Sequence, residues 1–145
     1  MISPRSGGLK LQKRIERLLE SLSGDRGVVA TEFLYRPALN LQYWFADVAY
    51  IPKADWDALP ADEYPVYAPL LIVEVRSPSN TAAKIDRQRM LAMSAGTTEF
   101  WVVDAGRRTV HVTNLRDAAT YTAGDFIPVT AFDGGHIPVE AVFAI

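Results

Sequence analysis

Residues 71–104 read LIVEVRSPSNTAAKIDRQRMLAMSAGTTEFWVVD, and they decide the fold class. The stretch from 69 to 76 is apolar and rich in Val, Ile and Leu, the pattern of a strand covered on both faces. Ser77-Pro78-Ser79-Asn80 breaks it and supplies a turn, with Asn80 or Thr81 placed to cap a helix over 81–95. Gly96 is the expected C-cap, and EFWVVD at 99–104 is a second buried-type strand. A strand, helix, strand crossover of this length joins parallel neighbours in one sheet with a right-handed connection.

Upstream, residues 9–22 place Leu11, Ile15, Leu18, Leu19 and Leu22 at spacings of three and four, an amphipathic helix stopped by Ser23-Gly24-Asp25. GVVATEFLYR at 27–36 reads as a strand, followed by a Pro-containing connection and a second strand, WFADVAYI, at 44–51. An acidic, proline-bearing loop spans 53–68. Downstream, AGRRT turns the chain into a strand at 109–115, and the remainder suggests short edge strands, Gly turns and a terminal helical turn. The order implies an α/β or α+β fold, a central mixed sheet flanked by helices, in one domain over 1–145.

The 145 residues are 49% hydrophobic and 22% charged, a globular balance large enough to bury a core without staples. No run approaches the roughly 18 apolar residues of a membrane-spanning helix and no signal segment opens the chain, so the expected address is cytoplasmic, with no membrane partner. With no cysteine, any metal must be held by oxygen or histidine. The net charge of −2 excludes a whole-molecule basic field, but residues 1–26, which include Arg5, and residues 76–89 each carry +3. Those patches suit phosphate contacts or are solvated helix faces.

Two acids interrupt apolar strands: Asp47 in FADVAY and Glu74 in LIVEVR. Alternation places Glu74 and Arg76 on one face with Leu70 and Ile72. If the two strands are neighbours, the carboxylates converge, and such a pair repels unless a hard cation such as Mg²⁺ or Mn²⁺ lies between them. The competing reading is a structural ion pair of Glu74 with Arg76, Lys84 or Arg89. On the helix, Lys84 and Gln88 fall with Ile85, Leu91, Ala92 and Ala95 on the side facing the sheet, whereas Asp86, Arg87 and Ser94 face away. His111 and His136 lack ligand spacing, Asp104 caps a turn, Gly134-Gly135 is a turn rather than a phosphate loop, and Trp56 is the most exposed tryptophan expected.

The stretches FADVAYIP, PLLIVEVRSPSNTAAK through TEFWVVDAGRRTVHV, and GGHIPVEAVF together resemble the Uma family of "putative restriction endonucleases", a branch of the PD-(D/E)XK nuclease superfamily. The resemblance implies a restriction-endonuclease-like core and Mg²⁺- or Mn²⁺-dependent hydrolysis of DNA phosphodiester bonds. Asp47 and Glu74 match its metal-binding acids, and Glu32 matches a strand position where the family often has an acid. Two departures stand out: Ala46 replaces the proline before the aspartate, and Gln88 falls where the helix lysine is expected. Arg76 or Lys84 would then supply the missing charge, and arginine, which holds its proton firmly, serves phosphate better than water deprotonation. The alternative function is a catalytically degraded relative that binds nucleic acid or protein. Cutting both strands of a duplex needs two sites, which makes a homodimer the class expectation.

Overall fold

A computed structural model describes residues 6–78, 80–133 and 135–145. Arg5, Ser79 and Gly134, which enter the sequence reading, lie outside the described residues. The chain runs α1 (Ser6–Ser23), β1 (Gly27–Tyr35), β2 (Trp44–Pro52), α2 (Lys53–Asp57), β3 (Leu71–Val75), α3 (Ala82–Ser94) and β4 (Glu99–Asp104). It continues through β5 (Thr109–Asn114), β6 (Ala118–Tyr121), β7 (Phe126–Val129), β8 (Gly135–Pro138) and α4 (Val139–Val142). Six strands form one mixed sheet in sequence order β1 to β6, and β7 pairs with β8 in a separate ribbon. The crossover strands β3 and β4 are parallel, as residues 71–104 predict, and every other pairing is antiparallel.

The sheet is covered differently on its two faces. Leu11, Ile15 and Leu19 of α1 pack with Val73, Trp101, Val103 and Val110, and the β7–β8 ribbon and α4 close this side through Ile127, Ile137 and Val142. Each such side chain, fully buried, contributes about 1.5–3 kcal/mol. On the opposite face α3 inserts Ile85 and Ala92 against Ile72 and Phe100. One helix covers less than one sheet width, so the half of that face built by β5 and β6 is left open, with His111 and Thr113 only half-buried.

Several boundaries differ from the sequence reading. The acidic loop contains α2, five residues long and without a buried side chain, and therefore without an apolar stripe to announce it. Leu70 packs on the α1 side rather than beside Ile72, because it precedes the first ladder pair of β3. Thr81 is the α3 N-cap, accepting from the Lys84 N–H at 3.1 Å, while Asn80 accepts from the Ser77 N–H and closes the preceding turn. Ala95 is the C-cap, and Gly96 follows it with φ +121°, a conformation that favours glycine.

Candidate functional site

The site forms where β2 parts from β3. Val48 and Tyr50 belong to the core under α1, but Trp44 and Ala46 belong to the core under α3. In a regular strand these four residues would share one face, so β2 turns over between Ala46 and Val48. Its partner turns with it: Val29 lies on the α1 side and Tyr35 on the α3 side, and between them Glu32 takes φ +51°. The β2–β3 ladder stops at Val48 and Val73. Beyond that point, side chains replace the backbone ladder. The Asp47 N–H donates to Glu74 Oε2 at 2.9 Å, and the Val75 N–H donates to Asp47 Oδ2 at 2.7 Å.

These reciprocal bonds bring the two carboxylates together, as adjacency of the strands predicts. From bond lengths alone, the Asp47 carboxyl carbon lies within about 7 Å of Glu74 Oε2. Glu74 is only 6% exposed. Burial pushes the Asp47 carboxyl up to about 6, with the Glu32 charge adding to the rise and the Val75 N–H opposing it. Burial also holds Glu74 well above the usual carboxylate range; the Asp47 charge reinforces it, while the Asp47 N–H and the Gln88 amide favour the ionised form. The charges acting on this pair are therefore other acids. Salt bridges among the described residues are Lys13–Glu16, Lys53–Asp57 and Arg89–Asp86, so the structural ion pair of Glu74 with Arg76, Lys84 or Arg89 does not form.

Gln88 and Lys84, expected together on the sheet-facing side, separate. Gln88 is buried and its Nε2 donates to the Tyr35 hydroxyl at 3.2 Å and to the Phe45 carbonyl at 3.1 Å. Lys84 is exposed in the first turn of α3. Arg76 is exposed too, and lines a groove of about 440 Å³ with Asp86, Arg89, Val102 and His111. Glu32 is an exposed residue whose charge reaches both carboxylates.

A second buried acid escaped the sequence reading. Glu99 is fully buried, and its carboxylate accepts from Trp101 Nε1 at 2.6 Å, from Thr130 N and Oγ1 at 2.7 and 2.6 Å, and from Ala131 N at 3.1 Å. Neutral donors satisfy both oxygens, which makes Glu99 a clasp between β4 and the segment after β7. Residues 99–104 read as a buried-type strand, but nothing local marks Glu99 as the residue that meets Thr130 and Ala131. Tyr35 was likewise missed, although a buried phenol needs a partner for its O–H and so points to a polar neighbour. Asp104 caps a turn by accepting from the Arg107 N–H, and His111 Nδ1 bonds Thr120 Oγ1 at 2.8 Å.

The donor set fits a hard cation in part. Two neighbouring carboxylates are present without an ion-pair partner among the described residues, and Asp47 Oδ1 accepts no hydrogen bond from a described residue. No group of three or more His, Cys, Asp or Glu able to hold a metal occurs among the described residues. Mg²⁺ commonly takes one or two carboxylates and completes its shell with water and phosphate oxygens, so two acids suffice for that ion. No helix among the described residues is long and apolar enough to cross a membrane.

The fold is similar to that of a solved "putative nuclease belonging to DUF820" from Anabaena variabilis ATCC 29413. The TM-score is 0.83 at 17% identity, covering 98% of this chain and 83% of the other. No curated protein matches the chain. The model of the Uma2 family, described as "Putative restriction endonuclease", matches residues 5–139. With residues 5–139 matched, nearly the whole length, the chain belongs to the Uma2 family.

Proposed function

We propose that this protein is a divalent-metal-dependent endonuclease that hydrolyses DNA phosphodiester bonds at the β2–β3 fork, with Asp47 and Glu74 as the metal ligands and Glu32 at their flank. The observation that carries the reading is a pair of acids held together in a largely buried place and not ion-paired with any cationic side chain among the described residues. An uncompensated buried pair of this kind costs several kcal/mol, which a cation would recover. When bound, Mg²⁺ or Mn²⁺ supplies Lewis acidity that assists water deprotonation and offsets charge on the phosphoryl oxygens.

The chain's own residues do the rest. The Asp47 and Val75 N–H groups fix one oxygen of each carboxylate and leave the others for ligation. Gln88, anchored to Tyr35 and Phe45, keeps its amide beside Glu74 and favours the ionised form that ligation requires. An amide takes no proton at ordinary pH, so Gln88 orients and does not act as a base. Arg76, two residues beyond Glu74 and lining the adjacent groove, supplies positive charge to the phosphate; Lys84 would have to swing in from the surface to do so.

A plasmid nicking assay with Mg²⁺ or Mn²⁺ tests this directly. Wild type is expected to nick, and Asp47→Asn and Glu74→Gln to lose at least a hundredfold in rate. Nicking that persists in both variants would place the chemistry elsewhere. A second reading, a nucleic-acid-binding module without hydrolysis, is favoured by one observation: the helix position facing Glu74 is an amide, committed to Tyr35 and Phe45. Oligonucleotide binding without nicking in either metal would select it.

A further inference from the structure

The open half of the α3 face has its own chemistry. In register, Glu74 pairs with Val102, Val102 with His111 and His111 with Thr120, so these residues form one row across the sheet. Glu74 points to the α3 side, which places the row on that face. Between α3 and the open half of the row lies the groove of about 440 Å³, whose polar wall is Arg76 from the end of β3, Asp86 and Arg89 from α3, and His111 and Thr113 from β5.

Arg76 is exposed and unpaired with any described acid. Arg89 meets Asp86 at 2.8 Å through Nη1, an exposed pairing three residues apart that is worth little and leaves other guanidinium donors free. His111 Nδ1 is engaged by Thr120 Oγ1, and its Nε2 bonds no described residue. Two guanidinium groups and an imidazole thus converge on a concave site with one acid, already partnered, among them. Strands about 4.8 Å apart put His111 about 10 Å from Glu74, the axial span of about three nucleotides.

We propose that this groove binds a backbone phosphate of the substrate strand two or three nucleotides from the bond cut at Asp47 and Glu74. The assignment rests on the nuclease reading for the site and adds the course of the bound strand, which lies across the sheet between β2 and β6. An oligonucleotide is then required for tight binding, and a lone phosphodiester does not suffice.

The test compares wild type, Arg89→Gln and the double variant Arg89→Gln/His111→Ala by fluorescence anisotropy. A labelled 12-nucleotide DNA is titrated in EDTA, so that no metal is needed, at several salt concentrations. Each variant's helix and sheet content is checked by circular dichroism, with Arg89→Lys, which keeps the charge, as the control for folding. The expected result is about tenfold weaker binding in Arg89→Gln, a further loss in the double variant, and a salt slope reduced by about 0.7 per cation removed, while Arg89→Lys stays within about threefold of wild type.

In parallel, hydrolysis of the small diester bis(p-nitrophenyl) phosphate with Mn²⁺ should be unchanged in these variants. Unchanged oligonucleotide affinity and slope in the double variant overturn the proposal. So does saturable binding of inorganic phosphate that the double variant loses without any change in oligonucleotide affinity, since the groove would then be a free-phosphate site. Weakened oligonucleotide binding in a protein inactive on both substrates sustains the groove assignment and defeats the nuclease reading, so the two failures are distinct.

Discussion

At the residue scale the Asp47–Glu74 pair links stability to the proposed metal ligation. Each carboxyl is held above its ordinary value, so the fold binds protons more tightly than the unfolded chain. That contribution is complete at low pH and is lost as pH rises through about 6 for Asp47. Asp47→Asn should therefore be more stable than wild type by about 1–3 kcal/mol at pH 8 in EDTA, with the difference vanishing near pH 4; urea denaturation across that range measures it. A gap that does not change with pH would show that Asp47 is not strained by its charge. Metal affinity should rise over the same interval, because a proton must leave before a cation binds.

Glu32 belongs to the same scale. A glutamate at φ +51° carries about 1 kcal/mol of backbone strain, and glycine adopts that region freely. Glu32→Gly should raise stability by roughly that amount while weakening Mn²⁺ binding if the Glu32 carboxylate helps hold the ion. Calorimetric titration and thermal melting of one preparation read both effects, and equal affinity in both proteins would remove Glu32 from the ligand set.

At the scale of elements, two buried polar side chains fasten neighbours that hydrophobic packing alone does not align. Gln88 ties α3 to β1 through Tyr35 and to β2 through Phe45. Gln88→Ala should cost about 2–4 kcal/mol, the combined effect of a cavity and stranded polar groups, and Gln88→Glu should cost more at neutral pH by adding a further acid beside Asp47, Glu74 and Glu32. Glu99 is the stronger clasp. Glu99→Gln replaces an acceptor that serves four donors with an amide that can accept at only one end, and a loss of about 2–4 kcal/mol is expected. A change below about 0.5 kcal/mol in chemical denaturation would mean that the segment after β7 is held by packing instead.

At the scale of the whole molecule, a cation bound at the proposed site would couple site to fold. Mn²⁺ at a hundred times its Kd should add about 2.7 kcal/mol and raise Tm by several degrees in wild type, with no shift in Asp47→Asn. An equal shift in both would indicate binding elsewhere. The lopsided covering of the sheet, with α1, α4 and the β7–β8 ribbon on one face and α3 on the other, is what leaves the candidate groove open beside the site.

The amino-acid sequence by itself determined the amphipathic α1, the β3–α3–β4 crossover and the parallel pair within it, and it singled out Asp47 and Glu74, whose meeting depended on the pairing of β2 with β3. Each follows from local signals: apolar periodicity, a Ser-Pro break, a capping residue at Asn80 or Thr81, a glycine at the helix end, and an acid inside an apolar run. The short α2 carries no apolar face and was invisible. Only the tertiary structure decided which polar side chain entered the interior. Helical spacing puts Lys84 and Gln88 one turn apart on a single face, but Lys84 sits at the open helix start while Gln88 lies over Tyr35 and Phe45. The same holds for the fork itself, since strand alternation assumes a flat ribbon and cannot foresee the turn at Glu32 and Asp47. Contacts between distant segments made those choices, because burial of a polar group is settled by the partners that the fold brings to it.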